Sequence, residues 1–369
     1  MGIHTYEAGI SKGELDTPAL LVDLDAVEKN IRTMQDFCLE RKINLRPHVK
    51  IHKATPAFAW MQMRAGAIGL TVAKLSEAEV LAASGLRDIL IANQVAGERK
   101  IRRLVNLAAY TDIIVAVDNY DNLQMISTMA QQRGAEVGVV IEIDIGNNRC
   151  GVEPPAALEM AERALASPNI KFRGVMGYDG HLAFAQDKEE KRRLSISCYE
   201  QLAGVKDALA RAGMPVEIVS GGGSATYRNA ASVSGLTELQ PGTYIFNDGA
   251  FYENGLAEFD FALSVLATVV SRPDRKGSRG MAVLDVGRKS FSLTYGFPRV
   301  KYPAGEISSM PQEHARLFVD PDEPLAPGDQ VEIYVQDANE TFNLYDHVYA
   351  MRGDIVEAVW EIPGRGRAV

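Results

Sequence analysis

Short apolar runs alternate with longer amphipathic stretches through roughly the first two thirds of the chain. Eight runs are β-rich: LRPHVK (45–50), AIGLTVA (67–73), DILIAN (88–93), DIIVAVD (112–118), EVGVVIEID (136–144), FRGVMGYDG (172–180), EIVSGGG (217–223) and ELQPGTYIF (238–246). Between them, KLSEAEVLAASG, VAGERKIRRLVNLA, NYDNLQMISTMAQQRG, EPPAALEMAERALAS and KRRLSISCYEQLAGVKDALARAG carry apolar residues at helical spacing, with glycines just past several ends. This is the rhythm of βα units and a parallel sheet. The number of repeats predicts a closed (β/α)8 TIM barrel, whose reactive groups gather at the carboxyl ends of the strands.

Beyond about residue 255 the helical windows thin out. DFALSVLATVVSRP, RGMAVLDVG, QVEIYVQD and HVYAMRGDIVEAVWEIP read as strands joined by Gly, Pro and Asp turns. The expected organisation is a barrel over 26–255 and a β-rich domain over 256–369 together with 1–25. The strand ALLVDLD (19–25) fits either part.

Composition narrows the partners. A formal charge of −9 and a pI near 5.3, without any basic stripe, argue against a nucleic-acid surface. MGIHTYEAGISKGELDTP lacks an apolar core of signal-peptide length, and no window has the run of apolar residues a membrane span needs. A cytoplasmic protein is the default expectation. Cys38, Cys150 and Cys198 lie far apart without CxxC spacing, so they predict packed thiols rather than a disulfide framework or a zinc site.

The predicted strand ends are unusually polar. The first brings His48, Lys50, His52 and Lys53; a lysine there is costly to bury unless its charge is neutralised or consumed in a Schiff base, although a solvated lysine just past the strand is the plainer reading. The fifth brings Glu142, Asp144 and Arg149, and the sixth Tyr178 and His181. The seventh ends in SGGGSATY. Consecutive glycines weaken a strand but let backbone N–H groups approach an anion, with Ser224 and Thr226 adding hydroxyls. LQPGTY brings Gln240, Gly242 and Tyr244 to the same rim, where barrels often bind phosphate. A Schiff-base lysine with a phosphate cradle is the minimum constellation for pyridoxal 5′-phosphate (PLP).

TPALLVDLDAVEKNI, RPHVKIHK, EIDIGNNRCGV, GYDGH, VSGGGSATY, ELQPGTYIFND and TFNLYD together resemble the D-threonine aldolase and D-serine dehydratase family of PLP enzymes, relatives of alanine racemase. The resemblance implies that Lys50 binds the cofactor covalently, with Lys53 its nearest rival. It further implies that Arg149 faces the cofactor's phenolic oxygen, Tyr178 contacts the ring, Gly221, Gly222, Gly223, Ser224 and Tyr244 hold the phosphate, and His181 is a catalytic base. Homodimerisation is a further expectation from the family. One block departs from its pattern. Aligned on Thr341, Asn343 and Asp346 of QDANETFNLYD, the family's metal-binding histidine becomes Asp337 and its partner carboxylate Asn339, which leaves oxygen ligands for Mg²⁺ or Mn²⁺ at most.

The expected activity is a lyase on D-configured β-hydroxy amino acids, small-molecule substrates cleaved by retro-aldol reaction to glycine and an aldehyde. The alternatives are a D-serine or hydroxyaspartate dehydratase, a metal-independent racemase or epimerase, and a non-catalytic PLP-binding protein. The weakened metal site hurts dehydration most, because hydroxide leaves poorly without a Lewis acid. The β-rich domain speaks against the non-catalytic reading. Arg288 and Lys289 read either as recognisers of a second substrate carboxylate or as exposed turn residues.

Overall fold

Two sheets hold the strands of the computed structural model, which describes residues 8–369. Residues 1–7, the start of the segment read above as lacking a signal-like core, lie outside the described residues. Strand β1 (Ala19–Asp23) belongs to one sheet. The next eight, β2 (Asn44–Leu45), β3 (Leu70–Val72), β4 (Ile89–Gln94), β5 (Ile113–Val117), β6 (Val137–Glu142), β7 (Ile170–Met176), β8 (Ile218–Gly221) and β9 (Glu238–Leu239), form the other.

These eight run parallel in the order β2-β9-β8-β7-β6-β5-β4-β3. The ring closes through a parallel bridge between His48 and Thr71, and through the amides of Ile68 and Thr71, which donate to the carbonyls of Leu45 and Pro47 at 2.9 Å. Each residue of β5 and β6 is buried, as strands covered on both faces must be. Leu90, Ile114, Ala116, Val140, Met176 and Ile218 pack as a cluster without any helix residue, which identifies the side chains filling the barrel's inside. A fully buried Leu or Ile of this kind stabilises the fold by about 1.5–3 kcal/mol.

The periodic segments are helices: Leu75–Ala83, Glu98–Ala108, Tyr120–Arg133, Ala157–Ala166 and Lys188–Arg211. Their ends follow capping chemistry. Asn119 accepts from the Asn122 amide at 3.0 Å and Gly134 terminates the same helix at φ 65°; Asp187 accepts from the Glu189 and Glu190 amides at 3.0 Å.

Two predicted strands are much shorter than expected, for one reason. The first is a strand only over Asn44–Leu45, followed by the isolated bridge at His48, and ELQPGTYIF is a strand only over Glu238–Leu239. Pro47 and Pro241 supply no N–H to continue a ladder, and the chain turns into 3₁₀ geometry at Val49–His52 and Thr243–Ile245.

The floor of the barrel, at the amino ends of its strands, is closed by ion pairs. Arg46, almost fully buried, donates through Nε to Glu238 at 2.9 Å and through Nη1 to Asp88 at 2.6 Å. Arg173 pairs with Glu217 at 2.7 Å and lies 3.7 Å from Asp112.

The second sheet runs β13 (Gly305–Ser309), β14 (Ala315–Val319), β11 (Met281–Leu284), β10 (Leu263–Ser271), β1, β16 (His347–Arg352), β17 (Ile355–Glu361); β15 (Gln330–Tyr334) joins β10 and carries β12 (Arg299–Tyr302). ALLVDLD therefore falls in this sheet, antiparallel to β10 and parallel to β16. Leu15, Ala19, Leu21, Leu266, Tyr349, Met351 and Val356 form its core.

By its internal contacts the chain divides into two units. One takes the described residues up to Ile31, Ile51–Lys53 and Thr243–Gly366; the other, the barrel, takes Arg32–Lys50, Ala54–Gly242 and Arg367–Val369. The three cysteines are free thiols, and no helix among the described residues is long and apolar enough to cross a membrane.

Candidate active site

Lys50 follows β2 but does not sit in a strand. It lies in the 3₁₀ turn Val49–His52, and its amide approaches His48 Nδ1 at 3.4 Å. Immediately beyond, Lys53 and Ala54 take left-handed φ values of 50° and 56°. Two such non-glycine residues in succession are a costly reversal, on the order of 1–2 kcal/mol each, that turns the chain sharply after the lysine. Lys53, the rival lysine, clusters with the other unit.

The Lys50 side chain reaches solvent, as one lining an open mouth does, yet its ammonium has protein on most sides. That crowding, followed by the charge of Arg149, lowers its pKa from the ordinary lysine range; Glu77 opposes the shift. Glu77 is fully buried and held by the amides of Ala73 at 2.8 Å and Lys74 at 3.2 Å, at the start of the helix that follows β3. Among the described residues Lys50 forms no ion pair.

Arg149 and Tyr178 meet. The guanidinium lies 5.7 Å from the Tyr178 ring centroid, and its Nη2 is 3.8 Å from Glu142 Oε1. Glu142, at the inner end of β6, also accepts from Gln94 Nε2 at 2.5 Å. Burial pushes the Glu142 carboxyl up, Gln94 and Arg149 pull it down, and Asp118 and Asp144 add to the rise. His181 is exposed on the 3₁₀ turn Gly180–Leu182, and its Cε1 is 3.3 Å from where a side chain on Gly146 would begin. It thus stands against the same β6 loop that carries Arg149.

The glycine run has a packing explanation that sequence reasoning missed. A Cβ on Gly221 would lie 2.7 Å from the Tyr199 ring, one on Gly222 2.7 Å from Leu239, and one on Gly223 2.7 Å from the Tyr178 ring; Gly222 also has φ +77°. Nor is every amide free for an anion, because Gly222 N–H donates to the Tyr199 hydroxyl at 2.9 Å. The N–H groups of Gly223 and Ala225 donate to no atom among the described residues. Ser224 Oγ accepts from Gly242 N–H at 2.9 Å, and Gln240 binds back to β8 through Gly221 O at 2.9 Å and Ser220 Oγ at 2.6 Å.

Lys50, Arg149, Tyr178, His181, Gly221, Gly222, Gly223, Ser224, Gln240 and Gly242 all belong to the barrel unit, at or just beyond its strands' carboxyl ends. Tyr244, Asp337 and Asn339 belong to the other unit. Tyr244 is fully buried, with its ring 5.9 Å from that of Phe259. Lys289 is committed to Glu313, and Arg288 Nε donates to the Met310 carbonyl at 3.1 Å.

The residues at the family's metal position offer a divalent ion weaker donors than the family's pair. Asp337 caps the short helix Ala338–Phe342, Oδ1 accepting from the Glu340 amide at 3.2 Å, while Ser292 Oγ stands 3.5 Å from Oδ2. Asn339, two positions on, stands where the family has its second ligand, and an amide oxygen beside a carboxylate already engaged as a helix cap is a weaker donor pair than the family's. No group of three or more His, Cys, Asp or Glu arranged to hold a metal occurs among the described residues. PLP, by contrast, fits: an amine of lowered pKa without a counter-ion, an arginine beside an aromatic ring, and a glycine-rich turn with amides to spare.

A closed parallel barrel with a lysine and an arginine at its mouth and a glycine turn two strands along defines an alanine-racemase-like fold joined to a β-rich domain. Residues 22–249 match the alanine racemase N-terminal domain and residues 262–351 the putative serine dehydratase domain. The chain belongs to this family. It is 34% identical to a D-threonine aldolase of Arthrobacter sp., over 98% of this chain and 95% of that one. It is 32% identical to a 3-hydroxy-D-aspartate aldolase of Paracoccus denitrificans (strain Pd 1222), over 97% of this chain and 94% of that one. The crystal structure of D-threonine aldolase from Filomicrobium marinum superposes with a TM-score of 0.92 at 34% identity, covering 98% of each chain.

Proposed function

We propose that this chain is a PLP-dependent lyase that cleaves D-configured β-hydroxy amino acids by retro-aldol reaction to glycine and an aldehyde, working as a cytoplasmic homodimer. The observation that carries the reading is Lys50: an amine at the mouth of the barrel whose surroundings favour its neutral, nucleophilic form. When bound, PLP supplies the conjugated ring that takes up the electrons left on Cα as a bond to it breaks.

The remaining work falls to the protein. Lys50 would hold the cofactor, and its amine is the group placed to hold or release a proton at Nζ. Arg149, placed between Glu142 and Tyr178, would hold the oxygen side of the ring, with the Tyr178 ring packed against Gly223. The turn at Gly221, Gly222, Gly223 and Ser224, backed by Gln240 and Gly242, would receive the phosphate. His181 accepts the β-hydroxyl proton as the Cα–Cβ bond breaks. No step is assigned to a metal; the weaker donors at Asp337 and Asn339 favour cleavage over dehydration, whose leaving hydroxide needs a Lewis acid.

The test is incubation of the PLP-loaded protein with D-threonine, D-phenylserine and 3-hydroxyaspartate, with and without Mn²⁺. Aldehyde release is expected from at least one of them, and its absence from all three overturns the reading. Deuterium entering Cα from solvent with substrate mass conserved points instead to racemisation. Light scattering at the mass of a single chain overturns the dimer.

A further inference from the structure

Asp179 directly follows Tyr178 in the chain and has 1% exposure. Its Oδ1 accepts the Tyr199 hydroxyl at 2.7 Å and the Thr226 hydroxyl at 2.9 Å, and its Oδ2 accepts the Ser195 hydroxyl at 2.6 Å. Ser195 and Tyr199 sit four apart on the helix Lys188–Arg211, hence on one face of it, and both are fully buried. The Tyr199 oxygen in turn accepts Gly222 N–H at 2.9 Å. Burial, and next the nearby Asp179, push the Tyr199 pKa well above the usual phenol range, so the hydroxyl keeps the proton it donates.

A single carboxyl group therefore holds the glycine turn at two points, Gly222 through Tyr199 and Thr226 directly. A second constraint lies within the span, where the Thr226 amide donates to the Gly223 carbonyl at 3.0 Å. Between the two anchors lie Gly223 and Ala225, whose N–H groups have no acceptor among the described residues. Burying a carboxyl group is costly, and an apolar side chain would fill the same space, but it would leave the Tyr199 and Thr226 hydroxyls without an acceptor and the turn without its shape.

We propose that Asp179 is a positioning residue for a phosphate monoester: through Tyr199 and Thr226 it fixes residues 222–226 in the conformation that receives the phosphate of the cofactor. The proposal rests on the PLP reading and makes a claim that reading does not, namely that Asp179 acts on phosphate affinity and not on the amine chemistry of Lys50.

The experiment titrates PLP and pyridoxal, which lacks the phosphate, into wild type, Thr226→Val, Tyr199→Phe, Asp179→Asn and the Asp179→Asn/Tyr199→Phe double variant, following visible absorbance and the thermal transition. Thr226→Val and Tyr199→Phe are expected to weaken PLP about tenfold each, or about 1.4 kcal/mol, while pyridoxal affinity stays within about twofold. Asp179→Asn is expected to weaken PLP by at least as much, and in the double variant its loss and that of Tyr199→Phe fall short of their sum, because both act through one network. Equal weakening of PLP and pyridoxal, or unchanged PLP affinity in folded variants, overturns the proposal. If Asp179→Asn fails to fold, Thr226→Val and Tyr199→Phe decide it alone. A wild type that binds neither compound overturns the cofactor reading instead.

Discussion

At the amino-terminal floor of the barrel Arg46 and Arg173 are each held by two carboxylates, whereas at the carboxyl mouth Lys50 forms no ion pair among the described residues and Arg149 reaches only Glu142, at 3.8 Å. The same eight strands carry both ends. At the floor, charge is compensated inside the protein. Glu238 and Asp88 more than offset the cost of burying Arg46 and leave its pKa raised. At the mouth the balance is reversed, with crowding and Arg149 together lowering Lys50. A cation whose partners come from its own chain serves the fold, and one left without them is open to something from outside.

The contrast is broken most severely by Lys50→Ala. Turnover is expected to fall by roughly a thousandfold or more, the scale on which loss of a covalent nucleophile acts, together with the visible absorbance of the PLP adduct. The same substitution leaves the thermal transition near that of wild type, because it removes no ion pair. Arg46→Ala does the opposite. Leaving Glu238 buried without its partner costs about 3–5 kcal/mol of stability, read as a lower denaturant midpoint, with turnover per folded molecule nearly unchanged.

A finer distinction comes from pH. Because the Lys50 pKa is lowered in the folded protein, the unfolded chain binds more protons between the lowered value and that of free lysine, so the lysine's penalty on stability is full below this window and fades as pH rises through it. PLP capture accordingly gains rate with pH at a midpoint below that of an ordinary lysine. Arg149→Ala shifts the midpoint up and Glu77→Gln shifts it down, since these charges act on Lys50 in opposite senses. Shifts in one common direction would show that the mouth's electrostatics are not set by these two groups.

Much of the barrel was legible because its signals are local. Eight β-rich runs and the amphipathic stretches between them reflect burial on both faces of each strand and on one face of each helix, properties written residue by residue. Lys50 stood out less by itself, since a solvated lysine past a strand is the plainer reading, than through the glycine run and the family blocks that accompany it. What escaped was set by distant neighbours. The three glycines read as an anion cradle, whereas Tyr199, Leu239 and Tyr178 already require them to lack side chains, and those contacts join residues far apart in sequence. Asp179 was passed over for a related reason, since its partners Ser195, Tyr199 and Thr226 converge only in the fold. The ends of β2 and β9 were overextended although Pro47 and Pro241 marked them, because the apolar residues beyond each proline also suit a strand.

The placement of β1 bears on how the protein is made. Ala19–Asp23 is hydrogen-bonded to Leu263–Ser271 on one side and to His347–Arg352 on the other, and all eight barrel strands lie between them in the chain. On the ribosome the barrel's strands all emerge before either partner of β1 exists. An apolar strand with open edges must therefore wait through that interval, the condition under which nascent chains engage chaperones or aggregate.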